Sequence, residues 1–311
     1  MNFAVKRNIT TLTAYLALAA VCLIWGTTYL AMRVGVQHFP PFLFAVIRQL
    51  AAGGLLLAFL LIGRKAKLPS RKDIWYQSVA GFFMISLGNG LVAWAEVHIP
   101  SGIAAVICSL EPIMVILISL AISKGERPNI PIFVGAMLGF AGISTIFAED
   151  LAQFSNSGYM LGIIATFIAI IAWAGGSIWL KRRKTHTDVL MNVGIQMFSG
   201  GIWLIPFSLA FDDRSTVTWT FDVALPMVYL VLFGSIVAFS CYLYALRHLP
   251  IMIVSLYAYV NPIIAVILGW LILDEKLNAT MGIAIALTIA GIYIVNRGHQ
   301  LRDQWKAQVT S

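Results

Sequence analysis

The chain has 311 residues, of which 60% are hydrophobic and only 11% charged, and its mean hydropathy is +0.87. So few charges cannot cover a soluble fold of this length, which excludes a cytosolic globular domain and points to a membrane. The net charge of +8 sits between apolar segments, so it reads as a topology signal and not as a nucleic-acid footprint.

A spanning helix needs about 20 mostly apolar residues, and ten such segments follow one another along the chain. In order they are Tyr15–Arg33, Phe42–Ile62, Ile74–Ala95, Ser101–Ile122, Ile130–Ala148, Gly158–Leu180, Val189–Phe211, Asp222–Leu246, Ile251–Leu273 and Thr280–Asn296. Connections are short and often carry proline, as at Pro40-Pro41, Pro69, Pro100, Pro128 and Pro250. Pro100 and Pro250 mark the clearest helix starts, because proline suits the first helical turn and disfavours helix in the residue before it. The first segment follows Lys6 and Arg7, as a leader would. Its full span length and polar Trp25-Gly26-Thr27-Thr28 centre make it a retained helix instead.

The chain repeats itself. At an offset of 150 residues Ala95, His98, Pro100 and Pro112 recur as Ala245, His248, Pro250 and Pro262. Trp25 lies 148 residues before Trp173, and Gln49, Gly53 and Gly54 lie 147 before Gln196, Gly200 and Gly201. The expected organisation is one five-helix unit used twice, over residues 13–148 and 158–296, with a cytoplasmic tail at 297–311. Basic residues fix the expected orientation. Lys6-Arg7, the stretch from Arg64 to Lys72 (with Lys65, Lys67 and Arg71), Lys124, Arg127, the run from Lys181 to Lys184, Arg247 and the tail all fall on one side. Only Arg33, Arg214 and Lys276 fall on the other. The positive-inside rule then puts both termini in the cytoplasm. Because five is odd, the second unit crosses in the opposite sense. The predicted fold is an all-α integral membrane protein of ten transmembrane helices, arranged as two inverted five-helix repeats around a central cavity.

Polar groups at membrane depth are costly, so each is a candidate site residue. Glu111 lies near the middle of the fourth segment, and Pro112 after it removes a backbone donor and frees a carbonyl four residues back. Such a carboxylate suits a proton, a cation or a substrate amine. Its repeat mate is Asn261-Pro262. The competing reading for Glu111 is a static pair with Arg48; from helix rise Arg48 lies ~9 Å and Glu111 ~15 Å from the outer surface, a gap that long side chains bridge. Arg33 and Glu96 are candidates for an ion pair or gate at the outer end. Trp25, Trp94, Trp173, Tyr244, Tyr257 and Tyr259 would suit a cavity for amphipathic or aromatic molecules, with Asn89 and Asn261 to orient polar groups. Small residues such as Gly135-x3-Gly139, Gly158-x3-Gly162, Gly53-Gly54 and Gly200-Gly201 favour close helix packing, and the Gly135 and Gly139 pair would equally serve a weak homodimer face.

Hydrolase, zinc-protease, P-loop and Cys-x-x-Cys signatures are absent from the sequence, and the histidines His38, His98, His186, His248 and His299 are spread over loops and helix ends. No cofactor, metal or catalytic residue is therefore expected. Cys22, Cys108 and Cys241 fall inside apolar segments.

These residues resemble the drug/metabolite transporter superfamily, specifically the EamA-type exporters. The matching stretches are Ile24-Trp25-Gly26-Thr27-Thr28-Tyr29, Arg48 to Gly54, Gly88-Asn89-Gly90 with Ala95-Glu96, Pro100 to Ala105, Ala258-Tyr259-Val260-Asn261-Pro262 and Asp274-Glu275. The resemblance covers about residues 13 to 296. It implies a multi-pass protein of the cytoplasmic membrane that exports amino acids, related metabolites or drugs, with helices 1, 3, 4, 6, 8 and 9 around the cavity. The expected partners are a small-molecule substrate, protons and the lipid bilayer, for a monomer or weak homodimer. Import of the same substrate class, a channel, and a membrane-embedded enzyme acting on amphipathic substrates are the competing readings.

Overall fold

A computed structural model describes residues 2–64, 66–67, 69–122, 130–149, 156–183, 187–254, 257–275 and 279–309. Lys65, Lys124, Arg127, Pro128, Lys184, His186 and Lys276, named above from the sequence, lie outside the described residues, as do the side chains of Tyr259 and His299.

All regular structure among the described residues is helical. In chain order the helices are α1 (Asn2–Gln37), α2 (Pro41–Gly63), α3 (Arg71–His98), α4 (Ser101–Ile122), α5 (Ile130–Glu149), α6 (Ser157–Arg182), α7 (Val189–Phe211), α8 (Phe221–His248), α9 (Tyr257–Leu273) and α10 (Ala279–Val309), with a single turn at Ile251–Val254 before α9. Seven of them, α1 to α4 and α6 to α8, are long and apolar enough to cross a membrane. Shorter apolar stretches lie at Phe133–Gly142, Val260–Leu273 and Ala279–Val295. Large apolar side chains such as Leu23, Ile130, Leu161, Phe211 and Tyr293 point outward, the arrangement expected where the surrounding solvent is lipid.

Helix ends are set by local chemistry. Pro41 opens α2, and Ser70, Asn156 and Asp188 cap α3, α6 and α7 by accepting hydrogen bonds from backbone N–H groups of the first turn. Three helices are locally rewound. Residues Phe59–Gly63 at the end of α2, Gly81–Asn89 of α3 and Leu230–Val237 of α8 adopt π-helical geometry, which leaves carbonyls free for side-chain donors and is frequent at functional sites. A turn at Ser109 and Leu110 interrupts α4 just before Glu111-Pro112. The missing N–H of Pro112 cannot close the regular bond to Cys108, so the break falls where the proline requires it.

Packing is pairwise. The α2 helix runs against α7, and α5 against α10; α1 packs on α8 and α9, while α6 packs on α3 and α4. Glycines permit the closest approaches. A methyl group at Gly53 would meet the Phe198 backbone, and one at Gly135 would fall 2.5 Å from the Gly291 carbonyl oxygen. Gly139 faces Ile113 and Leu110 in the same way. Gly135 and Gly139 are thus used inside the chain, against α10 and α4, in the manner of small residues at membrane helix contacts.

Candidate functional site

A cavity of about 100 Å³ lies where α1, α2, α3, α4, α6 and α9 converge. Its aromatic wall is built on Trp25. The Trp25 ring stands edge-on to Trp173 and to Tyr257, with centroids 5.4 Å and 5.1 Å away. Tyr242 and Phe239 stack behind them at 6.0 Å, their planes 8° apart. The π-helical segments of α3 and α8 fix this wall. Trp25 Nε1 donates to the Gly234 carbonyl at 3.0 Å, inside the rewound part of α8. Asn89, at the end of the rewound part of α3, turns its amide toward the Met84 carbonyl at 3.4 Å. Asn261, oriented by its neighbours, donates to the carbonyls of Cys22 at 3.0 Å and Tyr257 at 3.2 Å, which ties α9 to α1.

The charged lining comprises Arg48, Glu96 and Glu111. All three are at least 96% buried. Arg48 Nε donates to Ser235 Oγ at 2.8 Å, so Arg48 is held by α8 and not by Glu111. Glu111 Oε2 and both Glu96 oxygens have no hydrogen-bond partner, and neither has Nη1 of Arg33. Arg33 and Arg48 are the cations whose charge reaches Glu96, but no ion pair closes among these four residues. Buried carboxylate oxygens without donors are costly and are satisfied by a proton, a water or a ligand. Chemically, the cavity offers two acceptor groups within aromatic walls and one cation already engaged by a hydroxyl.

Of the residues selected from sequence, Trp25, Asn89, Glu111, Trp173, Tyr257, Asn261, Arg48 and Glu96 come together here. Trp94 does not. Its ring stacks on Phe42 at 6.5 Å and against His98 at 4.4 Å, facing a separate pocket of about 590 Å³ that also contains His38, Asp212 and Asp213. Tyr244 lies at the other end of α8 against His248, 4.3 Å between rings. Arg33 sits beside Glu96 without lining the cavity. Sequence reasoning omitted Thr28, Tyr29, Met32 and Cys108, which line it, and Phe239 and Tyr242, which back it. The Ile24 to Tyr29 stretch held a signal for Thr28 and Tyr29. For Tyr242 there was none, because the rewound turn in α8 rotates its register.

Both ends of the bundle are closed by side chains on backbone groups. The Glu275 carboxylate accepts from Ser101 N at 3.0 Å, Ser101 Oγ at 2.9 Å and Gly102 N at 3.3 Å, capping α4 from the end of α9. Asp212 accepts from Phe42 N at 3.2 Å and Leu43 N at 2.6 Å, capping α2 from the end of α7. At the opposite end Lys181 Nζ donates to the carbonyls of Leu246 and Leu249, which anchors the end of α8 to α6.

A helical membrane bundle with an aromatic and polar cavity between its helices belongs to the class of polytopic membrane proteins with a small-molecule site. Comparison with known proteins narrows this. The chain matches the EamA-like transporter family over residues 12–148 and again over 160–297, and it belongs to that family. It is 35% identical to the Escherichia coli K12 protein named "Uncharacterized inner membrane transporter YedA", over 92% of this chain and 91% of the relative. It is 25% identical to "Uncharacterized transporter YoaV" of Bacillus subtilis, over 90% and 95% of the two chains. With "Protein PecM" of Dickeya dadantii the identity is 27%, over 88% of each. A solved crystal structure at 20% identity superposes with a TM-score of 0.66, covering 90% of this chain and 95% of its own, and supports the fold alone.

Proposed function

We propose that the chain is a secondary exporter of amino acids, related small metabolites or drugs, working by alternating access between two inverted five-helix halves. The carrying observation is the cavity between the helices, where Glu96 and Glu111 present unpartnered oxygens among Trp25, Trp173 and Tyr257. These acceptors suit a substrate amine or an exchanged proton, and the aromatic rings suit an apolar side chain. Trp25, Asn89, Glu111, Trp173, Tyr257 and Asn261 are assigned to substrate binding, and Arg33, Arg48 and Glu96 to the gate. Trp94 and Tyr244 are assigned to neither.

Several features favour the inverted ten-span arrangement. The α1 contacts with α8 and α9 have their counterparts in the α6 contacts with α3 and α4. Two of the three rewound segments occupy matching places, in α3 and α8. Seven long apolar helices and three shorter ones supply the required spans. Typical small-molecule pockets run from roughly 300 Å³ upward, so a cavity of about 100 Å³ must widen to accept substrate. Rocking of one half against the other supplies that widening. With the basic residues inside, both termini are cytoplasmic.

Counterflow of labelled amino acids into proteoliposomes preloaded with unlabelled candidates, with and without a pH gradient, tests this reading. Saturable exchange selective for apolar or aromatic amino acids is the expected result. Absence of exchange with every amino acid, metabolite and drug tried, in vesicles that hold folded protein, would overturn it.

A further inference from the structure

Three cations, Lys181, Arg183 and Arg247, converge on one pocket of about 470 Å³ between α3, α6, α7 and α8, remote from the aromatic cavity. None of them has a carboxylate partner among the described residues. Lys181 spends two of its donors on the carbonyls of Leu246 and Leu249, at 2.5 Å and 2.7 Å. Arg247 Nη1 donates to the Thr187 carbonyl at 3.2 Å. Arg183 lies over the Tyr76 and Trp179 rings, 4.9 Å and 4.5 Å from their centroids. The nearby Asp188 carboxylate caps α7 through Leu190 N. The positive-inside rule accounts for basic residues on this face, but not for their gathering without a paired carboxylate around a single concavity.

The floor of the pocket is polar and buried. Gln77 and Gln196 are 1% and 0% exposed. Gln196 Nε2 donates to Gln77 Oε1 at 2.5 Å, while Gln196 Oε1 has no partner. An orphaned amide oxygen requires a donor that a bare anion lacks. Leucines at 180, 243 and 246 form an apolar wall beside the cations. The ligand that meets all three demands is a phosphate that also carries hydroxyl groups and an apolar body. We propose that this pocket binds a glycerol phosphate ester, its phosphate on the three cations and a hydroxyl on Gln196. The ester reaches the pocket either as the headgroup of an anionic glycerophospholipid or free in solution. Basic pockets between membrane helices on the cytoplasmic side hold anionic headgroups by the same electrostatics.

The experiment is native mass spectrometry of the full chain with three probes: phosphatidylglycerol, phosphatidylcholine of the same acyl chains, and sn-glycerol phosphate without lipid. One phosphatidylglycerol retained per chain, in preference to phosphatidylcholine, is the expected result. Lys181 also anchors α8, so the informative variant is Arg183→Gln with Arg247→Gln, compared at equal thermal stability. Removing two such charges should weaken phosphatidylglycerol binding roughly thirtyfold. The control, Arg64→Gln with Lys67→Gln, removes two basic residues elsewhere on the same face and should leave binding unchanged. Binding of sn-glycerol phosphate alone would keep the chemistry and assign the source to solution. Equal retention of the two lipids with no binding of sn-glycerol phosphate, or equal losses in the two double variants, would overturn the proposal.

Discussion

Trp25 and Trp173 meet edge to face, ring centroids 5.4 Å apart and planes at 82°, one from each half of the chain. This contact joins the halves at the cavity and makes separable predictions. Trp25→Phe keeps a ring but loses the indole bond to Gly234, worth about 1 kcal/mol for a neutral pair. It should lower thermal stability modestly and leave exchange measurable. Trp173→Ala removes the facing edge; aromatic pairs contribute about 0.5–1.5 kcal/mol beyond area burial, so substrate affinity should fall by up to roughly tenfold. Wild-type exchange in Trp173→Ala proteoliposomes would remove Trp173 from the site.

Glu111 carries the proton or amine hypothesis. Its Oε2 lacks a partner and Arg48 is engaged by Ser235, so Glu111→Gln breaks no ion pair and should fold. Exchange in this variant is expected to lose its response to an imposed pH gradient. Unchanged substrate binding together with an unchanged pH response would sink the assignment.

Composition, apolar runs and the repeat made the helices legible in the sequence, because lipid imposes one length and one pattern on every span. Six of the nine cavity candidates gather in one cavity, the Tyr259 side chain lying outside the described residues, since intramembrane Glu111 and Asn261 and the offset between Trp25 and Trp173 are visible without coordinates. Trp94 and Tyr244 form another matched pair, at an offset of 150. Each lies near a helix end beside the histidine four residues on, and neither lines the cavity. The π-helical turns were not legible, because local rewinding leaves no mark in a 3.6-residue pattern. They hide the bond of Trp25 to Gly234 and the hold of Ser235 on Arg48.

Glycine positions divide sharply. A side chain at Gly135 would strike the Gly291 carbonyl and the Val295 nitrogen, both backbone atoms that cannot yield. Overpacking of this kind costs about 1–3 kcal/mol or more, so Gly135→Val should unfold at a markedly lower temperature and separate α5 from α10. At Gly282 nothing lies within 4 Å of the added carbon. Gly282→Ala should be neutral or stabilising by up to about 1 kcal/mol, from helix propensity. Equal melting temperatures for the two variants would contradict the packing described.

Two adjacent carboxylates titrate in opposite senses. Partial burial raises the pKa of Asp212 above its ordinary value of 3.8, against the lowering effect of its bonds from Phe42 and Leu43. Hydrogen bonds from Ser215 lower that of Asp213. For Asp212 the folded state holds its proton more tightly, so its contribution to stability is greatest at low pH and declines as pH rises from 3.8 through the raised value. For Asp213 the contribution is present above 3.8 and is lost as pH falls through the lowered value. Asp212→Asn cannot ionise, so its melting temperature relative to wild type should climb as pH rises through the Asp212 window. A difference independent of pH would show that burial does not govern Asp212.

Glu275 places one carboxylate on three donors at the start of α4, from a turn in which Asp274 has φ 52°. Gly269 leaves room for the carboxylate, which a side chain there would meet, and the Glu275 N–H closes on the Gly269 carbonyl at 3.1 Å. A charged cap on a helix N-terminus contributes about 1 kcal/mol or more. This bond set joins α9 to α4 across the halves, so the alternating access proposed above would have to stretch it on opening at that end. Glu275→Gln keeps an acceptor but loses the charge, and should bias the chain toward opening by roughly three- to tenfold. Cys108 lines the cavity and reports the change. With Cys22 and Cys241 replaced by serine, an impermeant maleimide applied from the Glu275 side should label Cys108 faster by that factor in the variant. Equal labelling rates would mean that the cap secures α4 without controlling access to the cavity.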